Sequence, residues 1–304
     1  MTNIITLVAS DKNTYPLRDK HFVDIANVAN FYDLEVGIIP HWLASDKAGD
    51  VAVSGEPNAA LLTHFREALA GDQIDIFITP VENRKKKLLL ADMDSTIVAE
   101  ETLDELAAFA GLKDKVAAIT AKAMNGELDF HGAVKERVGL LKDLSTSALE
   151  ETLNATKINP GAKTLVQTMK AGGATCVLVS GGFTNFTDPI AKTVGFDHNH
   201  GNTLGIDGDK LTGEVIEPIL DKAAKVEFLD RYCKELGVSA GDCMTIGDGA
   251  NDLPMLQKAG ENGGLGVGYY AKPSVADQLT NIIQYGDLSA ALYAQGYREQ
   301  DIEA

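Results

Sequence analysis

Apolar residues fall into two rhythms along the chain: short runs of strand length, and positions recurring every three or four residues as on a helix face. In the first 80 residues the pattern predicts strands over 3–9, 34–40, 50–54 and 74–79, with helices over 21–32 and 59–70. That order, βαββαβ, is the one used by small ferredoxin-like α+β units. Residues 80–87 read as a linker, and its run Arg84-Lys85-Lys86-Lys87 reads as a solvated basic stretch. Leu88-Leu89-Leu90-Ala91 then predicts a short buried strand. A helical block follows over 101–110, 113–125, 129–141 and 147–155, where Asp129 and Ser147 suit N-caps and Gly111 and Gly126 suit stops. After Asn159-Pro160-Gly161, helices over 162–170 and 223–236 alternate with apolar strands over 175–179 and 244–246. This rhythm predicts an α/β fold, a doubly wound parallel sheet interrupted just after its first strand by a helical insertion at about 98–158. Asp207-Gly208 marks a hairpin within 203–215, and from 287 onward one helix and a frayed acidic end are expected.

Chemistry-bearing residues gather where these elements end. Asp92 and Asp94 follow the Leu88 strand, at the carboxyl edge where α/β sheets bind ligands. Two carboxylates so close repel, so a cation or a shared proton is expected between them. Val179-Ser180-Gly181-Gly182 is a strand opening into two glycines, where backbone N–H groups and a hydroxyl can approach an anion. Lys225 lies on a predicted helix, and Gly247-Asp248-Gly249-Ala250-Asn251-Asp252 follows another apolar strand.

In order and context these segments match the four motifs of the haloacid dehalogenase superfamily of phosphotransferases, a resemblance extending from about Lys87 to Asp277. Within it the chain is similar to the phosphoserine phosphatases, through Glu101-Thr102-Leu103-Asp104, Met124, Phe130, and Arg137-Val138-Gly139-Leu140-Leu141-Lys142-Asp143-Leu144. The resemblance implies a haloacid dehalogenase-like domain over 81–304, with the insertion as a helical cap. It also implies hydrolysis of O-phosphoserine as the last step of serine biosynthesis. Asp92 would be the nucleophile, giving an aspartyl-phosphate, and Asp94 the general acid and base. Mg²⁺ would sit on the Asp92 and Asp248 carboxylates and the Asp94 backbone carbonyl. Ser180, the Gly181 N–H and Lys225 would hold phosphoryl oxygens, with Asn251 on the phosphate side and Asp252 orienting Lys225 or a water from behind. Met124 and Phe130 would line the substrate pocket, Glu101 would meet an ammonium group, and Arg137 a carboxylate. A related phosphotransferase, passing the phosphoryl group to an alcohol such as homoserine, would use the same intermediate. Residues 1–80 resemble ACT domains in element order, which implies faces for a second copy, as a homodimer, or for an amino acid.

Composition sharpens the reading. With 304 residues, 45% hydrophobic and 23% charged, the chain has the make-up of a globular protein with a large core. A net charge of −17 argues against nucleic acid and anionic membrane as partners, and no apolar run approaches the length of a membrane span. Three cysteines without Cys-x-x-Cys spacing fit reduced thiols in the cytoplasm, with Cys176 in the core. His198 and His200, flanking Asn199, read as a surface turn and not as metal ligands.

Overall fold

The computed structural model describes residues 3–55, 57–124 and 129–303. The chain begins with β1 (Asn3–Ala9), α1 (Asp19–Asn30), β2 (His41–Ala44), β3 (Ala48–Val53), α2 (Ala59–Leu69) and β4 (Ile74–Pro80). β5 (Leu88–Ala91) leads into α3 (Thr102–Phe109), α4 (Lys113–Met124), α5 (Phe130–Gly139), α6 (Ser147–Ala155) and α7 (Ala162–Ala171). Then come β6 (Thr175–Phe183), α8 (Thr184–Val194), β7 (His198–Asp207), β8 (Lys210–Ile216) and α9 (Lys222–Leu236). β9 (Cys243–Gly247), α10 (Leu253–Glu261), β10 (Leu265–Tyr269), α11 (Pro273–Ala276), β11 (Asn281–Ile283) and α12 (Ala290–Ala294) complete it. One sheet has the order β2-β3-β1-β4, the other β11-β10-β9-β5-β6-β7-β8. Pairing is antiparallel throughout the first sheet, and parallel for β10 with β9 and β11 and for β6 with β7. The fold is the α/β arrangement with a helical insertion and a small ferredoxin-like amino-terminal part.

Contacts divide the chain into two compact units: residues 1–90, 160–176 and 229–304 in one, 91–159 and 177–228 in the other. In the first, alternation along β1 sends Ile5, Leu7 and Ala9 into a cluster with Phe22, Ile25, Leu61 and Phe65 from α1 and α2. The other face of β1 carries the buried Thr6, whose hydroxyl donates to Asp50 at 2.7 Å. Arg84 closes this face. Its guanidinium donates to both Asp50 oxygens (2.6 and 3.1 Å), to Thr6 and to the Ala294 carbonyl. Lys86 is 3% exposed and donates to the carbonyls of Gly241 and Gly263, while burial pulls its ammonium down to about 8. The basic run is therefore not a solvated stretch: two of its four residues are interior ties. Each is held by groups far away in sequence.

β4, paired with β1, is tied on its other side to the carboxy-terminal part of this unit by side chains that grip backbone. The Asn281 amide accepts from Ile78 N–H (2.7 Å) and donates to the Ile78 carbonyl (3.2 Å), as a neighbouring strand would. Asp75, 3% exposed, accepts the N–H groups of Gln284, Tyr285 and Gly286 at 2.8–3.2 Å. Arg66 donates to the carbonyls of Leu279 and Thr280.

Several expectations are corrected. The strand expected over 34–40 reduces to a single bridge, Val36 with Val53, and the second strand is instead His41–Ala44. Pro40 has no N–H for a ladder, and Ile38 and Ile39 face outward, 56% and 86% exposed. The segment around His198 and His200 is strand β7, parallel to β6, with His200 stacked on Phe228 at 4.0 Å. Ser147 is the first residue of α6 and not its cap, whereas Asp129 caps α5 by accepting from Gly132 N–H at 2.8 Å. Gly111 ends α3 at a φ of +68°, and Gly126 lies outside the described residues. β10 and β11 had no counterpart in the apolar pattern. The acidic end is held as well, with Tyr297 buried and Glu303 N–H donating to Thr168. Cys176 is in the core, Cys243 is buried and Cys233 partly so. Among the described residues, no helix is long and apolar enough to cross a membrane.

The grip of Asp75 yields a test. Burial pushes its carboxyl up to about 6 against the pull of three N–H donors, so at pH 8 it is a carboxylate accepting all three. In Asp75→Asn an amide NH₂ would face one of those donors. Chemical denaturation at pH 8 should show a loss of about 1–3 kcal/mol; unchanged stability would mean the three bonds contribute nothing.

Candidate active site

β5 ends at Ala91, and the chain turns over Met93–Ile97, with Ser95 in the left-handed region at φ +56°. The turn sets Asp92 and Asp94 in different surroundings. Asp92 is buried, and its Oδ1 is 2.6 Å from the Nζ of Lys225, itself 2% exposed. Lys225 reaches this position from the first turns of α9, whose start is capped by Asp221 accepting from the N–H groups of Ala223 and Ala224. An ion pair so enclosed needs close geometry to offset desolvation.

Asp94 faces hydrogen-bond donors instead. Its Oδ1 accepts from Thr102 twice, from the backbone N–H (2.8 Å) and from the hydroxyl (2.7 Å). Its Oδ2 accepts from the Ser180 hydroxyl at 3.2 Å. Part of the side chain remains accessible, yet desolvation of the carboxyl, then repulsion from Glu101, pushes it up to about 6 against those three donors. A carboxyl in that range can give a proton or take one near neutral pH.

Ser180 sits on β6 where it opens into glycine, and its oxygen also accepts from Gly182 N–H at 2.8 Å. Gly182 has a steric reason to be glycine: a Cβ there would lie 2.8 Å from Asp94 Oδ2. Gly181 is partly exposed, with Phe130 of α5 beside it. Arg137 on the same helix is half-buried and donates through Nε to the Ala133 carbonyl. Burial opposes its charge, while Asp104, Glu101 and Asp94, in that order, support it. Glu101 is exposed and accepts from the Ser95 hydroxyl at 2.8 Å. The Met124 side chain lies outside what is described.

The fourth segment follows β9. Asp248 and Asp252 are buried, Asn251 is partly exposed, and Asp252 accepts from Gly249 N–H at 3.0 Å. A Cβ on Gly247 would collide with the Asp252 carboxyl, which explains that glycine. Asp92, Asp248 and Asp252 each place a carboxylate oxygen within 4.8 Å of the others, all three buried. Such a cluster of hard oxygen donors could hold a metal ion. Two participants escaped the sequence reading. Thr102 was one residue of a matched segment, and Asn202, which bonds Gly181, lay between the stretch read as a turn at 198–200 and the hairpin expected from 203.

Residues 89–257 match the family model of haloacid dehalogenase-like hydrolases. A phosphoserine phosphatase of Streptomyces coelicolor is 38% identical over 259 residues, 84% of this chain and 62% of that protein. One of Archaeoglobus fulgidus is 40% identical over 206 residues, 67% of this chain and 59% of that protein. The chain thus spans about 60% of the length of these two relatives. Among solved structures, a haloacid dehalogenase family hydrolase of Salmonella enterica serovar Typhi superposes with a TM-score of 0.80 and 28% identity, covering 97% of this chain and 98% of that one. With the four segments folded as described and more than half the chain matched, the protein belongs to the haloacid dehalogenase-like hydrolases.

Proposed function

We propose that this chain is a Mg²⁺-dependent phosphatase that hydrolyses O-phosphoserine to serine and phosphate, the final step of a route to serine. One observation carries the reading: two aspartates a residue apart are held in opposite roles, Asp92 ion-paired with Lys225 and Asp94 titrating near 6 among neutral donors. Asp92 attacks phosphorus, the bond to the seryl oxygen breaks, and Asp94 gives its proton to that oxygen. Asp94, now a carboxylate, takes a proton from water as the water oxygen attacks the aspartyl-phosphate and frees phosphate and Asp92. Ser180, Gly181 N–H, Asn251 and Lys225 position the phosphoryl oxygens. Mg²⁺ on Asp92, Asp248 and the Asp94 carbonyl would screen the two anions as they meet, with Asp252 in attendance. The buried carboxylate cluster of Asp92, Asp248 and Asp252 supports a metal at this place.

The substrate follows from charges that phosphate chemistry does not require. Glu101 takes the ammonium group, Arg137 the carboxylate, and Phe130 closes the apolar side of the pocket. Support comes from the phosphoserine phosphatases to which the chain is similar, and from the half-buried Arg137. Residues 1–80 are assigned as an ACT-like unit for self-association as a homodimer or for an amino-acid effector, 81–304 as the phosphatase domain with its cap at about 98–158, and the cytoplasm as the location.

Phosphate release from O-phosphoserine should require Mg²⁺, stop with EDTA, and vanish in a folded Asp92→Asn variant. Full-rate turnover by that variant would sink the mechanism. Arg137→Ala should lower kcat/KM for phosphoserine by roughly 30-fold or more, the scale of a lost shielded charge contact, while an aryl phosphate suffers much less. Equal losses on both substrates would assign Arg137 to folding.

The pH profile offers a further check. The Thr102 hydroxyl favours the ionised form of Asp94, so Thr102→Val should raise that carboxyl above about 6. Water activation needs the carboxylate, so the acid limb of the kcat profile should move to higher pH. Thr102→Ser should restore it, and a shift to lower pH would contradict the assignment.

A further inference from the structure

Between Val179 and Phe183 the register of β6 against β7 shifts, and Gly181, in the gap, lacks an ordinary ladder partner for its carbonyl. The side chain of Asn202 on β7 fills that place: Nδ2 donates to the Gly181 carbonyl at 2.7 Å. Its Oδ1 accepts from Leu220 N–H, also at 2.7 Å, just before the cap of α9. Asn202 is 1% exposed and touches none of the reacting groups proposed above. We propose that Asn202 is the positioning residue of the phosphoryl pocket, one amide that holds the Ser180–Gly182 loop and the entry to the Lys225 helix in a fixed relation.

The consequences run through one peptide group. Its carbonyl, on Gly181, is fixed by Asn202, and its N–H, on Gly182, donates to the Ser180 oxygen at 2.8 Å. With that lone pair engaged, the single Ser180 proton points outward, to Asp94 Oδ2 in this structure. A chain of four groups, amide, peptide, hydroxyl and carboxylate, is polarised in one direction, which strengthens each bond. The same peptide fixes the plane beside the Gly181 N–H. At its other end, Asn202 sets the chain one residue before Asp221, which caps the helix carrying Lys225. Loss of this amide frees both arms, and misplacing positioned donors by a fraction of an ångström costs rate.

The inference rests on the phosphatase reading, and the test separates the two. Asn202→Asp keeps the acceptor for Leu220 N–H and removes the donor to Gly181; Asn202→Ala removes both. Full-length variants and wild type are compared at pH 8 by thermal melting, turnover of O-phosphoserine, inhibition by orthovanadate as a phosphoryl mimic, and inhibition by serine. We expect folded Asn202→Asp to lose about 10-fold or more in kcat and in orthovanadate affinity, with serine inhibition within about 2-fold of wild type. Wild-type kcat and orthovanadate inhibition in that variant would overturn the proposal. So would equal losses toward orthovanadate and serine, or failure of both variants to fold, each of which marks Asn202 as a structural residue. Wild type that binds orthovanadate yet leaves phosphoserine intact would refute the substrate reading, while the orthovanadate comparison still decides on Asn202.

Discussion

Two carboxylates one residue apart cannot do opposite jobs unless the fold gives them opposite neighbours. Everything around the Met93–Ile97 turn serves that separation. Lys225 forms an ion pair with Asp92 at 2.6 Å. Asp94 accepts three hydrogen bonds from Thr102 and Ser180, and its desolvation, with Glu101 nearby, pushes it up to about 6. Ser95, in the left-handed region just after Asp94, turns the chain off the strand direction beyond the pair. Had the strand simply continued, both groups would have met the same lysine.

The chemical segments were legible because their residues must be contiguous. An aspartate pair, a serine before glycines and a glycine-flanked aspartate leave their mark within six positions of chain. The helices of the insertion were legible for a similar reason, since a repeat of three or four residues is local. What stayed hidden depends on distant partners. Arg84 and Lys86 looked solvated because Asp50, Gly241 and Gly263 lie tens to well over a hundred residues away. Asn202 left no mark because its use is to replace a missing ladder bond. β10 is Leu265-Gly266-Val267-Gly268-Tyr269, where glycines blur the strand pattern. Gly266 is there because a Cβ would strike the backbone of Leu256 on α10, a contact the local sequence cannot announce. Thr102 fell between these cases, inside a matched segment but with a role set by Asp94.

A recurring solution in this chain is a side chain that stands in for a strand or a cap. Asn202 bridges a shifted register, Asn281 completes the edge of β4, and Asp75 gathers three successive amides. Each satisfies buried backbone groups that would otherwise be costly, and none requires a particular side chain opposite.

That last property bears on how such a protein can change over time. At the join of β4 with the carboxy-terminal segment, Asp75, Asn281 and Arg66 address the amides and carbonyls of Ile78, Leu279, Thr280, Gln284, Tyr285 and Gly286. Peptide groups are common to every residue except proline's missing N–H, so the addressing side chains do not choose the side chains they address, Gly286 excepted, where a Cβ would lie 2.9 Å from Asp75 Oδ2. The join can therefore persist through wide divergence of one of its two sides. Its memory resides in three residues, and proline is the substitution that four of the addressed positions, Ile78, Gln284, Tyr285 and Gly286, could least absorb.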